Sequence, residues 1–158
     1  MTTATSDRTH RYHAALQWTG STADGDAAYS REHVITASGV DGELRVSADP
    51  AFRGDPALLN PETLLVMSAS SCQMLSFMHV AALAGLDVVS YRDDAEGELP
   101  LQLPMWVQRI TLRPTITIRG DYDEAAVQQL VERGHHECFI ANSVRTAITV
   151  EATIVPAG

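Results

Sequence analysis

The residues best able to do chemistry in this chain of 158 are two thiols, Cys72 and Cys138, the only cysteines present. A pair of cysteines in a chain this long reads as core residues, as metal ligands or as a redox couple. For redox chemistry the reactive form is the thiolate. Cys72 falls about ten residues into a predicted helix, beyond the reach of the helix dipole, which acts within the terminal turn. Burial there would raise its pKa and make it inert. A reactive Cys72 therefore needs a cation from elsewhere, and arginine suits because it stays charged when partly buried. Arg31, Arg53 and Arg145 are the candidates.

Other chemistries compete for the same residues. A cysteine on a buried helical face is more often a small core residue. The same holds for Cys138 in His135-His136-Glu137-Cys138. Metal binding could pair Cys72 with His79, but seven helical residues separate their backbones by about 10 Å, long for two ligands of one ion. The chain has no CxxC or HxxxH spacing. A hydrolase using Ser71 or Ser76 with His79 lacks the G-x-S-x-G turn that exposes such a nucleophile.

The elements that must position the thiols follow from periodicity. Residues 10–18 place Tyr12, Ala14, Leu16 and Trp18 on one side of a period-2 pattern, a strand. Residues 21–28 form a small, polar loop. Residues 32–37 and 43–48 are strands around the turn Ser38-Gly39-Val40-Asp41-Gly42. Residues 49–59, with two prolines and Gly54, form an irregular connection. Asn60-Pro61-Glu62 starts a helix: a capping side chain, a proline in the first turn and an acid at the positive end. It extends to residue 84, with Gly85 as its stop. Leu65, Ala69, Cys72, Ser76, His79 and Leu83 line one face; Leu64, Met67, Ser71, Leu75, Met78 and Ala82 line another. Two apolar or small faces imply a central, largely buried helix.

Strands are expected at 86–91 and 106–118, separated by a loop around Pro100 and Pro104. Asp123 caps a second helix with Val127, Leu130 and Val131 inward and Gly134 at its end; a last strand covers 145–155. This order gives one α+β domain, residues 1–158, with a mostly antiparallel sheet around a long central helix.

Composition narrows the partners. The formal net charge is −9, which disfavours nucleic acid and anionic membranes. The first nine residues lack the apolar stretch of a signal peptide, and no apolar run is read as a bilayer span. A soluble, cytoplasmic protein is expected.

Several stretches carry a resemblance. Tyr29-Ser30-Arg31-Glu32-His33 is followed by Ser47-Ala48-Asp49-Pro50-Ala51-Phe52-Arg53-Gly54-Asp55. Asn60-Pro61-Glu62-Thr63-Leu64-Leu65 follows, with Cys72 ten residues after Glu62. Tyr91, Glu96-Gly97 and Cys138-Phe139-Ile140-Ala141-Asn142-Ser143 complete the set. From about residue 12 to 150 this resembles the OsmC/Ohr family of organic hydroperoxide reductases, in its OsmC-like branch. The two cysteine blocks together are fairly specific, while either alone is not.

The resemblance implies an OsmC-like fold assembled as an intertwined homodimer. It implies a two-cysteine peroxidase in oxidative or osmotic stress defence. Cys72 matches the peroxidatic cysteine and Cys138 the resolving one. Glu62 matches a glutamate that pairs with an arginine, best matched by Arg31. The Ohr branch carries its arginine in a different local motif, so Arg53 stays a candidate. The implied substrate is an organic hydroperoxide. The implied reductant is an external dithiol of lipoyl type, with no bound cofactor or metal. Helical geometry puts Glu62 about 15 Å along the axis from Cys72 and about 80° around it. One arginine reaching both would need Glu62 from a partner subunit, or a break in the helix near Ser68. Leu64, Met67, Met74, Phe77, Met78, Phe139 and Ile140 could wall an apolar pocket, or simply pack the core. The alternatives are a non-catalytic OsmC-like stress or ligand-binding protein and a metal-binding thiol protein.

Overall fold

Alternating side chains in the N-terminal third produce three short antiparallel strands, β1 (Ala14–Gln17), β2 (His33–Ala37) and β3 (Leu44–Val46), in the order β1-β2-β3. Leu16 pairs with Ile35, and Ile35 with Leu44. Each strand lies inside a segment predicted to be one and is shorter than predicted. The irregular connection holds one 3-10 turn, Pro50–Phe52, started by the Asp49 carboxylate accepting the Ala51 N–H at 2.7 Å. The turn ends at Arg53, whose φ of 65° is left-handed. These residues belong to the first of two compact units, Met1–Pro61 and Glu62–Gly158. The computed structural model describes residues 9–158, so most of the polar N-terminal stretch read above lies outside the described residues.

The second unit is organised around helix α1 (Pro61–Leu83), which closes where predicted, Gly85 taking φ 72° and Leu86 N–H returning to the Ala81 carbonyl at 3.0 Å. Its buried residues are Ala69, Gln73, Phe77, Val80 and Ala81. This single stripe corrects the expectation of a largely buried helix: Met67, Ser71, Leu75 and Ala82 on the other predicted face are exposed. A second expectation is also corrected. By length and composition α1 is able to cross a membrane, with mean hydropathy 1.4. Here its buried stripe instead forms core.

The strands of this unit are β4 (Asp87–Asp93), β5 (Glu96–Glu98), β6 (Arg109–Leu112), β7 (Pro114–Arg119), β8 (Ala147–Val150) and β9 (Thr153–Pro156). They form two three-stranded sheets, β4-β7-β9 and β5-β6-β8. The segments predicted as single strands, 106–118 and 145–155, each break into two, and β5 was not predicted. The breaks coincide. Asp94-Ala95, Arg113 and Glu151-Ala152 interrupt all three chain paths at one level, where Arg113 pairs with Glu96 and Glu151 and its N–H donates to Asp93. Two further findings depart from a plain antiparallel sheet: β6 pairs with β8, and β7 with β9, in parallel.

The bend lets each half pack a different turn of α1. Ile110 and Leu112 from β6 cover Ala69. Ile116 and Ile118 from β7 pack with Phe77 and Ala81, together with Val127 and Val131 of helix α2 (Glu124–His136). Asp123 caps α2 as predicted, accepting the Ala125 N–H at 3.2 Å. Gly134 does not end the helix. It sits inside the last turn, where a Cβ would lie 2.9 Å from both the Cα and the N of Phe77. Glycine is there to let the two helix backbones touch. Gly134→Ala is expected to destabilise the protein by about 1–3 kcal/mol through overpacking against backbone. Urea denaturation measures this, and an unchanged midpoint would show that the two helices separate freely.

Candidate active site

Cys72 lies mid-way along α1, half-buried, and Cys138 lies just past the end of α2, 1% exposed. Packing of α1 on α2 brings the two thiols, both free, to the same short turn, close enough to influence each other. The turn after Cys138 supplies an N–H to each sulfur. Ile140 donates to Cys72 Sγ and Ala141 to Cys138 Sγ, both at 3.5 Å. Burial pushes the Cys138 thiol up, and the hydrogen bond and charge of Cys72 add to the rise, while the Ala141 and Ile140 amides oppose it. The more deeply buried sulfur therefore holds its proton, and the less buried one is Cys72.

The Asn-Ser pair of the second cysteine block shapes this turn. Asn142 Nδ2 donates to the carbonyls of His136 at 2.9 Å and Cys138 at 3.0 Å, and Ser143 Oγ to that of Phe139 at 2.6 Å. The turn then leads into β8 through Thr146, whose hydroxyl donates to the Val107 carbonyl at 2.7 Å. Gln73 and His135 also meet here, at 3.3 Å, an interaction the sequence reading missed. Only a polar residue on the buried stripe of α1 could have signalled it.

The other predicted residues are placed as follows. Arg31, in the first unit, bonds the Asp26 carboxylate at 2.8 Å and the Tyr29 carbonyl at 2.9 Å, and its guanidinium lies 4.1 Å from the Tyr29 ring centroid. Arg53 pairs with the same Asp26. Arg145 lies over the Trp106 ring at 4.5 Å. Glu62 opens α1 with Oε2 buried and without a hydrogen-bond partner among the described residues. The Tyr91 hydroxyl is in the same condition, and burial, then Asp93, pushes its ionisation well above the usual range. Phe77 is core, not pocket wall, whereas Met67 and Met74 line a groove of about 480 Å³ along α1 with Val66, Ser70 and Tyr91. Ser70 donates to Asp93 across that groove at 2.5 Å. Phe139 is 79% exposed beside Cys138.

Residues 54–153 match the family model described as OsmC-like protein. The chain belongs to the OsmC-like protein family. A solved OsmC-like protein of unknown function from Vibrio cholerae is 30% identical, with a TM-score of 0.81 over 92% of this chain and 100% of that one. The fold is shared at lower identity by an organic hydroperoxide resistance protein OsmC from Legionella pneumophila (15% identity, TM-score 0.66, 92% and 97% covered). It is also shared by the organic hydroperoxide resistance protein OhrB of Bacillus subtilis (16%, 0.60, 92% and 98%). No curated protein sequence matches the chain.

Unequal burial of the sulfurs has a direct readout. Limited iodoacetamide treatment of the reduced protein at neutral pH is expected to alkylate Cys72 and leave Cys138 unmodified until the protein unfolds. Peptide mass spectrometry checks this, and preferential labelling of Cys138 would reverse the roles.

Proposed function

We propose that this chain is a thiol peroxidase that reduces organic hydroperoxides, with Cys72 peroxidatic and Cys138 resolving. The observation that carries this reading is the meeting of two free thiols 66 residues apart, one half-buried and one buried. The Cys72 thiolate attacks one peroxide oxygen, the O–O bond breaks, and the alkoxide leaves as alcohol after taking a proton. Cys72 becomes a sulfenic acid. Cys138 attacks its sulfur, water leaves, and a Cys72–Cys138 disulfide forms. An external dithiol, of lipoyl type by the family resemblance, reduces it by exchange and is itself oxidised. The chemistry fits a reducing compartment such as the cytoplasm.

The acting form is a homodimer. Met67 is 51% exposed and Leu75 61%, apolar side chains on one face of α1 that a second copy would cover. Glu62 supports the same reading, since a buried carboxylate oxygen without a partner calls for a donor. α1 runs unbroken through Ser68, which removes a helix break as the means of joining Glu62 to Cys72. Arg31 is assigned to the Cys72 thiolate and to Glu62 of the partner subunit. Its planar, permanently charged fork can serve both.

Purified protein with dihydrolipoamide is expected to consume cumene hydroperoxide, and Cys72→Ser to abolish consumption. One equivalent of peroxide without reductant should yield a peptide pair joined through Cys72 and Cys138. Peroxide loss that persists in Cys72→Ser would defeat the reading, and a stable dithiol with no peroxide loss would favour a non-catalytic binding protein. Arg31→Lys is expected to slow turnover by at least tenfold while Arg53→Lys does not; the opposite order would transfer the role to Arg53.

A further inference from the structure

Beside each cysteine stands a polar residue that the reaction just described does not use. Gln73 follows Cys72 directly and is 1% exposed, an unusual site for an uncharged amide on the apolar stripe of α1. Its Nε2 donates to the Val131 carbonyl at 3.3 Å, which orients the amide and turns Oε1 toward His135 Nδ1, also at 3.3 Å. An amide oxygen only accepts, so Nδ1 carries the proton. Burial lowers the His135 pKa, His136 lowers it further, and the Ile148 backbone opposes both. The lowered pKa favours the neutral ring, whose Nδ1 proton Gln73 Oε1 then accepts. The His135 carbonyl then accepts the Cys138 N–H at 3.1 Å. Together these bonds form a closed path from Cys72 through Gln73 and His135 to Cys138, bypassing the sulfurs.

We propose that the Gln73–His135 hydrogen bond is the positioning device that holds Cys138 in line with oxidised Cys72, so that Gln73 and His135 set the rate of disulfide closure rather than the rate of attack on peroxide. The proposal rests on the two-cysteine reading. In the step concerned, the Cys138 sulfur attacks the Cys72 sulfenic sulfur opposite its oxygen. The S–O bond breaks, the S–S bond forms, and the hydroxyl leaves as water with the proton of the Cys138 thiol. Back-side approach tolerates little displacement. A slack tie would leave the sulfenic acid waiting, open to a second peroxide and irreversible oxidation to sulfinic acid.

The test uses Gln73→Leu, His135→Leu and the double variant in two measurements. In the first, one equivalent of cumene hydroperoxide is added and dimedone traps the sulfenic acid over time, with mass spectrometry reading adduct against disulfide. Loss of one buried hydrogen bond is expected to slow closure about tenfold and let the Cys72 adduct accumulate, with sulfenate formation unchanged. The double variant should be no slower than either single, because both remove the same bond. In the second, the Cys72–Cys138 pair is equilibrated with dithiothreitol. Both single variants should favour the dithiol by a similar factor. Because this readout needs no peroxide, it holds even if the peroxidase reading fails. Equal slowing of both steps, additive losses in the double variant, or an unmoved dithiothreitol equilibrium would each overturn the proposal.

Discussion

The second unit depends on one close approach, the backbone of α2 at Gly134 resting against that of α1 at Phe77. No side chain larger than hydrogen fits between them, so the helices meet at near-minimum separation. Cys72 lies a little over one turn before Phe77, and Cys138 four residues after Gly134. The contact thus fixes the distance between the two sulfur-bearing segments more than any interaction of the sulfurs themselves. Around it, the strands break at Arg113, and β6 and β7, in separate sheets, each cover part of the same helix.

Within that frame the two thiols differ because their surroundings differ. Cys138 is enclosed and keeps its proton; Cys72 sits beside the buried stripe and is only half-buried. Each sulfur receives a main-chain N–H from the same short turn, held by Asn142 and Ser143. Main-chain donors of this kind are set by the fold and carry no side-chain entropy. The turn therefore acts on both partners of the proposed disulfide at once.

Two buried polar groups have no partner among the described residues. Buried oxygens are ordinarily paired, yet Glu62 Oε2 and the Tyr91 hydroxyl are not. Tyr91 lines the groove along α1 with Met67, which is exposed, as is Leu75 further along the same helix. In the homodimer proposed above, a second copy would cover such apolar side chains and could supply the donors.

The sequence by itself determined the helices and the chemistry-bearing residues. Period-3.6 patterning, Pro61 near the start, Asp123 as a cap and Gly85 as a stop act locally, so they can be read without knowing what the helices touch. The cysteine blocks and the family resemblance were legible for the same reason. Tertiary structure alone decided where long β segments break, because the break at Arg113 answers ion pairs with Glu96 and Glu151, remote in the chain. It also decided that Gly134 continues a helix, since the need for glycine arises from Phe77, 57 residues earlier. The Gln73–His135 bond was hidden likewise: spacing along one helix records which residues share its face, and nothing about what another helix sets opposite them.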